Sequence, residues 1–498
     1  MFILSKRTWA VTGIGLGIMV LGMIWSIVNT ALASIQKELL ADVLDLQWMM
    51  NAFGIFLCVP LLTMGKLGDA YGRKKLFLFG LLGALLASVI AGFASHIGIL
   101  IMCMGLFGLS GSIILPLSQA LLIHQFPENQ KEKAVSLWAV FVSISIASGP
   151  LVGGFILNFW GWRWVYWINT PIILFVIPVV FFFVKKEKEH HKTHCDWAGV
   201  GLLGLTICSF IVGLMQGASW GWGSSRILGL FTLTILSLVL FIRLEKKSKN
   251  PLFRPDLFAH RSFLFSAIPN AFMIGFIWVV FFMVPLYLQN ILGYPPLHVG
   301  LLLLLTTLPV ALFSGYVGKL YRKKGAKSLM LLGFSLLIIA SFIQAVFMDK
   351  GQFSFIAVSC LMTGFGWVLT WSPSISCALS SIPHKAAGIA SGMFTTLQEL
   401  GAVTSLAIAG VFFSFGQKKL LAPHRDSVYS ALNQFSSDEI DSLLTNPTAV
   451  KEHLGNSPIL PWLKTAFIGG YENAFWFLVG ISLLAFLFST FLPKKKTS

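Results

Sequence analysis

Two acids stand out in a chain with little charge to spare. Glu399 lies about midway along an apolar run from 387 to 415, with Gln398 beside it. Asp69 lies inside Gly65-Lys66-Leu67-Gly68-Asp69-Ala70-Tyr71-Gly72-Arg73-Lys74-Lys75, a basic, glycine-rich stretch between two apolar runs. An ionised carboxylate in hydrocarbon is costly unless it meets water or a partner, so Glu399 is suited to exchanging a proton or recognising a cation. The bland alternative is a structural acid hydrogen-bonded within its own helix bundle. Asp69 can pair with Arg73 and can face a helix N-terminus, where the dipole favours an acid. Around it, Gly65 and Gly68 let helices approach closely, and Gly72 permits a turn. The bland alternative for this stretch is a solvated loop that only sets topology. A third group comprises Trp25, Asn29, Trp48, Asn51, Asn270, Trp278, Gln344, Trp367 and Trp371. Lining a cavity, they would suit amphipathic or cationic ligands, although packing or an interfacial belt is the commoner role of any one Trp in a span.

The elements that position these residues are hydrophobic helices. The chain has 498 residues, of which 56% are hydrophobic and 11% charged, where soluble proteins keep about 25% charged. Apolar runs recur near the roughly twenty residues needed to cross a bilayer. Fourteen spans are expected, at 8–34, 48–66, 76–94, 97–123, 134–158, 164–184, 198–219, 226–242, 263–289, 297–318, 327–347, 353–380, 387–415 and 467–492. The first is too long for a signal-peptide core and reads as an uncleaved span. If the N-terminus is cytoplasmic, 27 of the 36 Lys and Arg fall in inner segments, so both termini are expected inside. The net charge of +17 lies in short loops rather than on an aromatic-laced polar face, which argues against nucleic acid.

Two basic linkers, 185–194 and 243–261, bracket spans seven and eight. The expected organisation is therefore six spans, two, then six: an N-terminal bundle (1–190), a two-helix insert (191–250) and a C-terminal bundle (251–498). The last includes an outer segment, 416–466, with an amphipathic helical pattern over 427–454 expected to pack over the outer mouth. His190, His191 and His194 read as a solvated loop rather than a metal site, with only Cys195 nearby. The other five cysteines, Cys58, Cys103, Cys208, Cys360 and Cys377, read as buried small hydrophobes. Residues 315–324, GYVGKLYRKK, echo the Gly65 stretch with Lys319 where Asp69 would stand. Doubled halves with equivalent loops mark secondary transporters.

On these residues the chain resembles the major facilitator superfamily, and within it the fourteen-span drug:proton antiporter branch. Gly65, Leu67, Asp69, Gly72, Arg73 and Lys74 occupy the positions of the superfamily's loop between spans two and three. Ser145, Gly149, Pro150, Gly153 and Gly154 resemble the antiporter motif of span five, with Ser for its first Gly. The resemblance implies two six-helix bundles with two extra spans, no cofactor, a proton gradient as energy source, and alternating access that exports amphipathic small molecules. It also implies that the Asp69 loop latches the halves on the inner side. Two departures bear on coupling: Ile24 stands where span one of this branch carries an Asp, and Met104 where span four carries an Arg. Losing both leaves no orphan charge. The expected protein is a monomeric inner-membrane transporter of small molecules, with a periplasmic adaptor as an optional partner. The alternatives are a metabolite or siderophore carrier without proton coupling and, more remotely, a membrane sensor or enzyme. No acid pair or nucleophile arrangement supports an enzyme, and no Gly-x4-Gly-Lys-[Ser/Thr] supports a nucleotide-driven pump.

Overall fold

The computed structural model describes residues 5–185, 196–248, 253–348, 351–380, 382–383, 387–455 and 457–493. Their regular secondary structure is entirely helical. The first half comprises α1 (Lys6–Glu38), α2 (Val43–Tyr71), α3 (Arg73–Gly92), α4 (Ile97–His124), α5 (Lys131–Phe159), and α6 (Arg163–Trp167) running on into α7 (Asn169–Phe183). Next come α8 (Trp197–Trp220) and α9 (Ser225–Lys247). The second half comprises α10 (Arg261–Asn290), α11 (Pro296–Phe347), α12 (Phe353–Ser380), α13 (Ala387–Leu421), three short helices, and α17 (Leu460–Thr490). Among the described residues 13 helices are long and apolar enough to cross a membrane. The expected boundaries at 190/191 and 250/251, with His190, His191, His194 and Cys195, lie outside the described residues.

The count turns on α11. Its 52 residues are interrupted at Gly325, where φ is 76° and ψ is 169°. Unbroken, it would run about 78 Å, more than twice a bilayer's hydrocarbon core. The parts on either side of Gly325 each have the length of one crossing. The sequence echo is displaced at this turn. In the first copy the turn is Gly72 (φ 96°) and the basic run follows it, opening α3. In the second, Arg322–Lys324 precede the turn and end a helical segment, where the dipole favours cations. The first copy lacks that advantage and compensates: Lys74 donates to the carbonyls of Phe181 and Val184, both at 2.6 Å, where the end of α7 leaves carbonyls without a helical partner.

The halves meet along α5–α11 and α2–α13, with α1 against α10 between them. α8 packs on α2 and α13, and α9 packs on α8. Leu228, Ile235, Leu236 and Leu240 of α9 are exposed, which only a lipid environment makes favourable.

One end of the bundle carries the Asp69 loop and is called the basic end here; the other is the capped end. The cap contains α14 (Arg425–Ala431), α15 (Ser437–Thr445) and α16 (Pro447–Leu454). The single amphipathic pattern is thus three helices. A capping box between Ser436 and Glu439 starts α15, and Asn446 followed by Pro447 starts α16. Val428, Leu432, Leu443, Val450 and Leu463 form a small core of their own beneath the polar faces.

Candidate functional site

The span-five motif has two faces. Ser145, Gly149 and Gly153 recur every four residues and face α1. A Cβ on Gly149 or Gly153 would collide with Ser26 or Thr30 of α1. Pro150 and Gly154 form the neighbouring stripe and face α11. A Cβ on Gly154 would lie 2.8 Å from the Pro296 carbonyl and 3.0 Å from Leu297 Cα, and one on Gly300 would strike the Pro150 carbonyl. The departure at Ser145 has a local reason. Its hydroxyl occupies the space that a side chain on Gly22 would need, so the missing glycine of α5 is supplied by α1. The motif therefore welds α5 to α1 within one half and lays it against α11 of the other.

Polar ties reinforce this closure at the capped end. Asn290 of α10 donates to Gln36 of α1 at 2.7 Å, and Gln289 donates to the Thr30 carbonyl at 3.0 Å. The cap joins both halves: Gln36 donates to Thr445 at 3.2 Å, Ser442 to the Ala41 carbonyl at 3.1 Å, and Thr448 to the Asn290 carbonyl at 3.4 Å. Lys37 pairs with Glu452 at 2.6 Å across exposed side chains, a contact of small energetic weight.

Beside these ties, Asp42 caps α2 by accepting from the Asp45 amide at 2.6 Å. Burial pushes its carboxyl up to about 6, and the nearby carboxylates of Asp45 and Asp441 add to the effect. The native state therefore binds this proton more tightly than a loosened one, and the docked cap loses stability as pH rises from about 4 to about 6. Asp42→Asn keeps a good N-cap and removes the charge. It should raise the thermal midpoint of the purified protein above pH 7, an effect on the order of 2 kcal/mol. Near pH 4 the midpoint should be unchanged. Equal midpoints at both pH values would refute the coupling.

Below the capped end, aromatic rings from four helices form a continuous chain. Trp25 of α1 lies 5.9 Å from Trp278 and 5.1 Å from Phe281, both of α10. Phe53 of α2 is 6.3 Å from Trp278. Phe281 is 6.3 Å from Trp367 of α12, which is 6.2 Å from Trp371. Offset and tilted ring pairs at these spacings are attractive. The structure thus unites Trp25 and Trp371, with Trp278 and Trp367, across the two halves. Asn29 sits one turn beyond Trp25 and donates to its carbonyl at 2.5 Å.

Other residues of the expected cavity lie elsewhere. Asn51 donates to the Met215 sulfur of α8 at 3.1 Å. Trp48 packs in the α2–α8–α13 cluster. Asn270 donates to Ser374 at 2.8 Å, and Gln344 accepts from Tyr471 at 2.5 Å. Glu399 is also in the α2–α8–α13 seam. Cys58 of α2 is close enough to sense its charge, and Cys208 of α8 is close to Cys58. The flanking Leu400, Val403 and Ala407 pack with Ile55, Cys58, Ile207 and Ile211. Glu399 is 9% exposed, and Gln398 hydrogen-bonds it. The acid belongs to α13 and the rings to α1, α2, α10 and α12; the two groups approach each other at Gly54, whose absent Cβ would meet both Val403, one turn from Glu399, and Trp278.

At the basic end Asp69 accepts from Arg73 at 2.7 Å, four residues on. Gly68 lies directly against Leu117 of α4, but Gly65 has nothing within 4 Å. Close approach is therefore a property of Gly68 alone; Gly65 faces open space. Phe53 and Phe281 were missed by sequence reasoning. Phe281 was detectable, since it follows Trp278 by three residues and shares its helix face. Phe53 is set by its meeting Trp278 from another helix, and no local signal marks it.

Two sets of apolar helices thus meet along the α5–α11 and α2–α13 seams, with an aromatic chain shared between them. The sequence profile of the Major Facilitator Superfamily matches residues 14–194 and 197–406. The chain belongs to that superfamily and is a multi-pass protein of the cell membrane. It is similar to the multidrug resistance protein Stp of Mycobacterium tuberculosis strain CDC 1551 / Oshkosh, at 26% identity over 97% of this chain and 90% of the relative. It is likewise similar to the tetracenomycin C resistance and export protein of Streptomyces glaucescens, at 26% identity over 82% of this chain and 77% of that protein. Among solved structures, a bacterial homologue of the human lysosomal transporter Spinster, inward-facing and unoccupied, superposes with a TM-score of 0.69 at 12% identity, covering 98% of both chains. That likeness concerns the fold.

Proposed function

We propose that this protein exports amphipathic drug-like molecules by alternating access, driven by proton entry, across fourteen spans with both termini in the cytoplasm. In this reading the capped end is outer and closed, and the basic end is inner. The observation that carries it is the aromatic chain shared by the two halves: separating the halves at either end opens the rings to that side only. Such a surface binds apolar, planar groups through area and stacking. Named drug-resistance and export relatives point the same way.

Glu399 is the coupling group in this proposal. The α2–α13 seam joins the halves, so any rocking between them changes the packing around the acid. A seam packed with Ile55, Val403 and Ile211 excludes an ionised carboxylate, and an opened, wetted seam admits one. Proton loading and half-to-half motion are thereby linked, while α8 closes the seam from the lipid side. The two-helix insert thus serves the coupling site, and the two six-helix halves carry the motion.

The Asp69–Arg73 pair belongs to the inner latch. Asp69→Asn should slow transport severely while leaving substrate affinity largely intact, whereas Lys319→Ala should do much less. Equal effects of the two on turnover would remove the latch. The overall function is tested by everted vesicles given a drug panel in the medium under imposed pH or sodium gradients. Uptake driven by an inward-acid vesicle supports proton-coupled export; uptake indifferent to both gradients sinks it.

A further inference from the structure

The atoms that the fold leaves unpaired restrict which ligands the aromatic chain accepts; this rests on reading that chain as the transport site. The indole N–H groups of Trp25, Trp367 and Trp371 are buried and have no hydrogen-bond partner among the described residues. Trp367 is only 3% exposed. An unpaired buried donor is costly, and here three sit on one chain of touching rings. The indoles therefore carry a polar capacity that their packing does not use. The Oδ1 of Asn29, one turn from Trp25, is unpartnered too.

The middle of these four helices is also uncharged. In α1 the charges are Lys6, Arg7, Lys37 and Glu38, at its ends. In α2 they are Asp45, Lys66 and Asp69, and α10 has only Arg261 at its start. α12 has none. The acid that could neutralise a cation, Glu399, is on none of these four helices; its neighbours Leu400 and Val403 pack with Ile55, Cys58, Ile207 and Ile211. Ring faces attract a cation only modestly, which falls short of the cost of stripping its water in an otherwise neutral site.

We propose that the aromatic chain selects neutral, planar polycyclic compounds bearing carbonyl or ether oxygens over lipophilic cations. The rings stack on the ligand's rings. The indoles donate to its oxygens, and Asn29 accepts from a hydroxyl. Donor groups without a counter-charge reward acceptors and give a cation nothing.

Equilibrium binding of radiolabelled 9,10-anthraquinone, anthracene and ethidium to the purified full-length protein tests this. The first two share a ring frame and differ in the two carbonyls; the third is a planar cation. Anthraquinone should bind about tenfold tighter than either of the others. Trp367→Phe and Trp371→Phe, which keep the ring and remove the N–H, should each reduce the anthraquinone-to-anthracene ratio several-fold; anthracene binding serves as the folding control. Ethidium binding as tightly as anthraquinone, or a ratio unchanged in both variants, overturns the selectivity while leaving the site in place. If all three probes bind undiminished to a Trp25→Ala/Trp278→Ala/Trp371→Ala protein, or none binds the native protein, the site itself is refuted.

Discussion

Glu399→Gln is expected to abolish pH-driven accumulation in everted vesicles, reducing it to the level seen without a gradient. Substrate exchange between preloaded vesicles and medium, which needs no net proton movement, should persist. Glutamine keeps the shape of the side chain and its contact with Gln398, so packing with Cys58, Val403 and Ile211 is preserved. What it removes is the proton. Because Glu399 lies outside the aromatic chain, drug affinity should change little, and this separates a coupling role from a binding role. Full gradient-driven transport by the variant would discard the proposal; loss of binding along with transport would place Glu399 in the ligand site instead. Chemical denaturation should give the variant equal or greater stability, since an amide in an apolar seam is cheaper to bury than a charge.

The second large effect is expected at the capped end. Gly154→Val should reduce transport to background by preventing closure there. Its Cβ alone would lie 2.8 Å from the Pro296 carbonyl, and backbone cannot rotate away as a side chain can. Forcing methyl groups into such a contact costs about 1–3 kcal/mol, which shifts a two-state equilibrium by about 5- to 150-fold. The measurement is labelling of a cysteine introduced at Gln289, with the six native cysteines replaced, by a membrane-impermeant maleimide from outside. Gln289 is held against the Thr30 carbonyl when the end is closed, so Gly154→Val should speed labelling severalfold or more. Unchanged labelling with lost transport would show a folding or packing defect rather than a locked-open state. Gly149→Val provides the contrast. It pushes on Ser26 within the same half, so it should destabilise that half without favouring the open state.

Much of this was legible in the sequence, because membrane crossing is a local constraint. A helix in lipid must satisfy its own backbone and show apolar side chains for roughly twenty residues. The runs therefore announced the long apolar helices. The glycine pattern of α5 was equally local: a four-residue repeat of small side chains can only mean close packing on one face. Its partners were not local. That Ser145 meets Gly22 and Gly154 meets Pro296 depends on which helices the fold sets side by side.

The same division holds for the acid and the tryptophans. Sequence by itself determined that Glu399 is out of place in an apolar run, and that Trp25, Trp278, Trp367 and Trp371 lie near the middles of their helices. Only the tertiary structure decided that the tryptophans join into one chain while the acid's neighbours pack against α2 and α8. Hydropathy records how deep a residue lies in the bilayer but not the direction in which its helix is turned. That direction is set by neighbours hundreds of residues away, so depth can be read along the chain while company cannot.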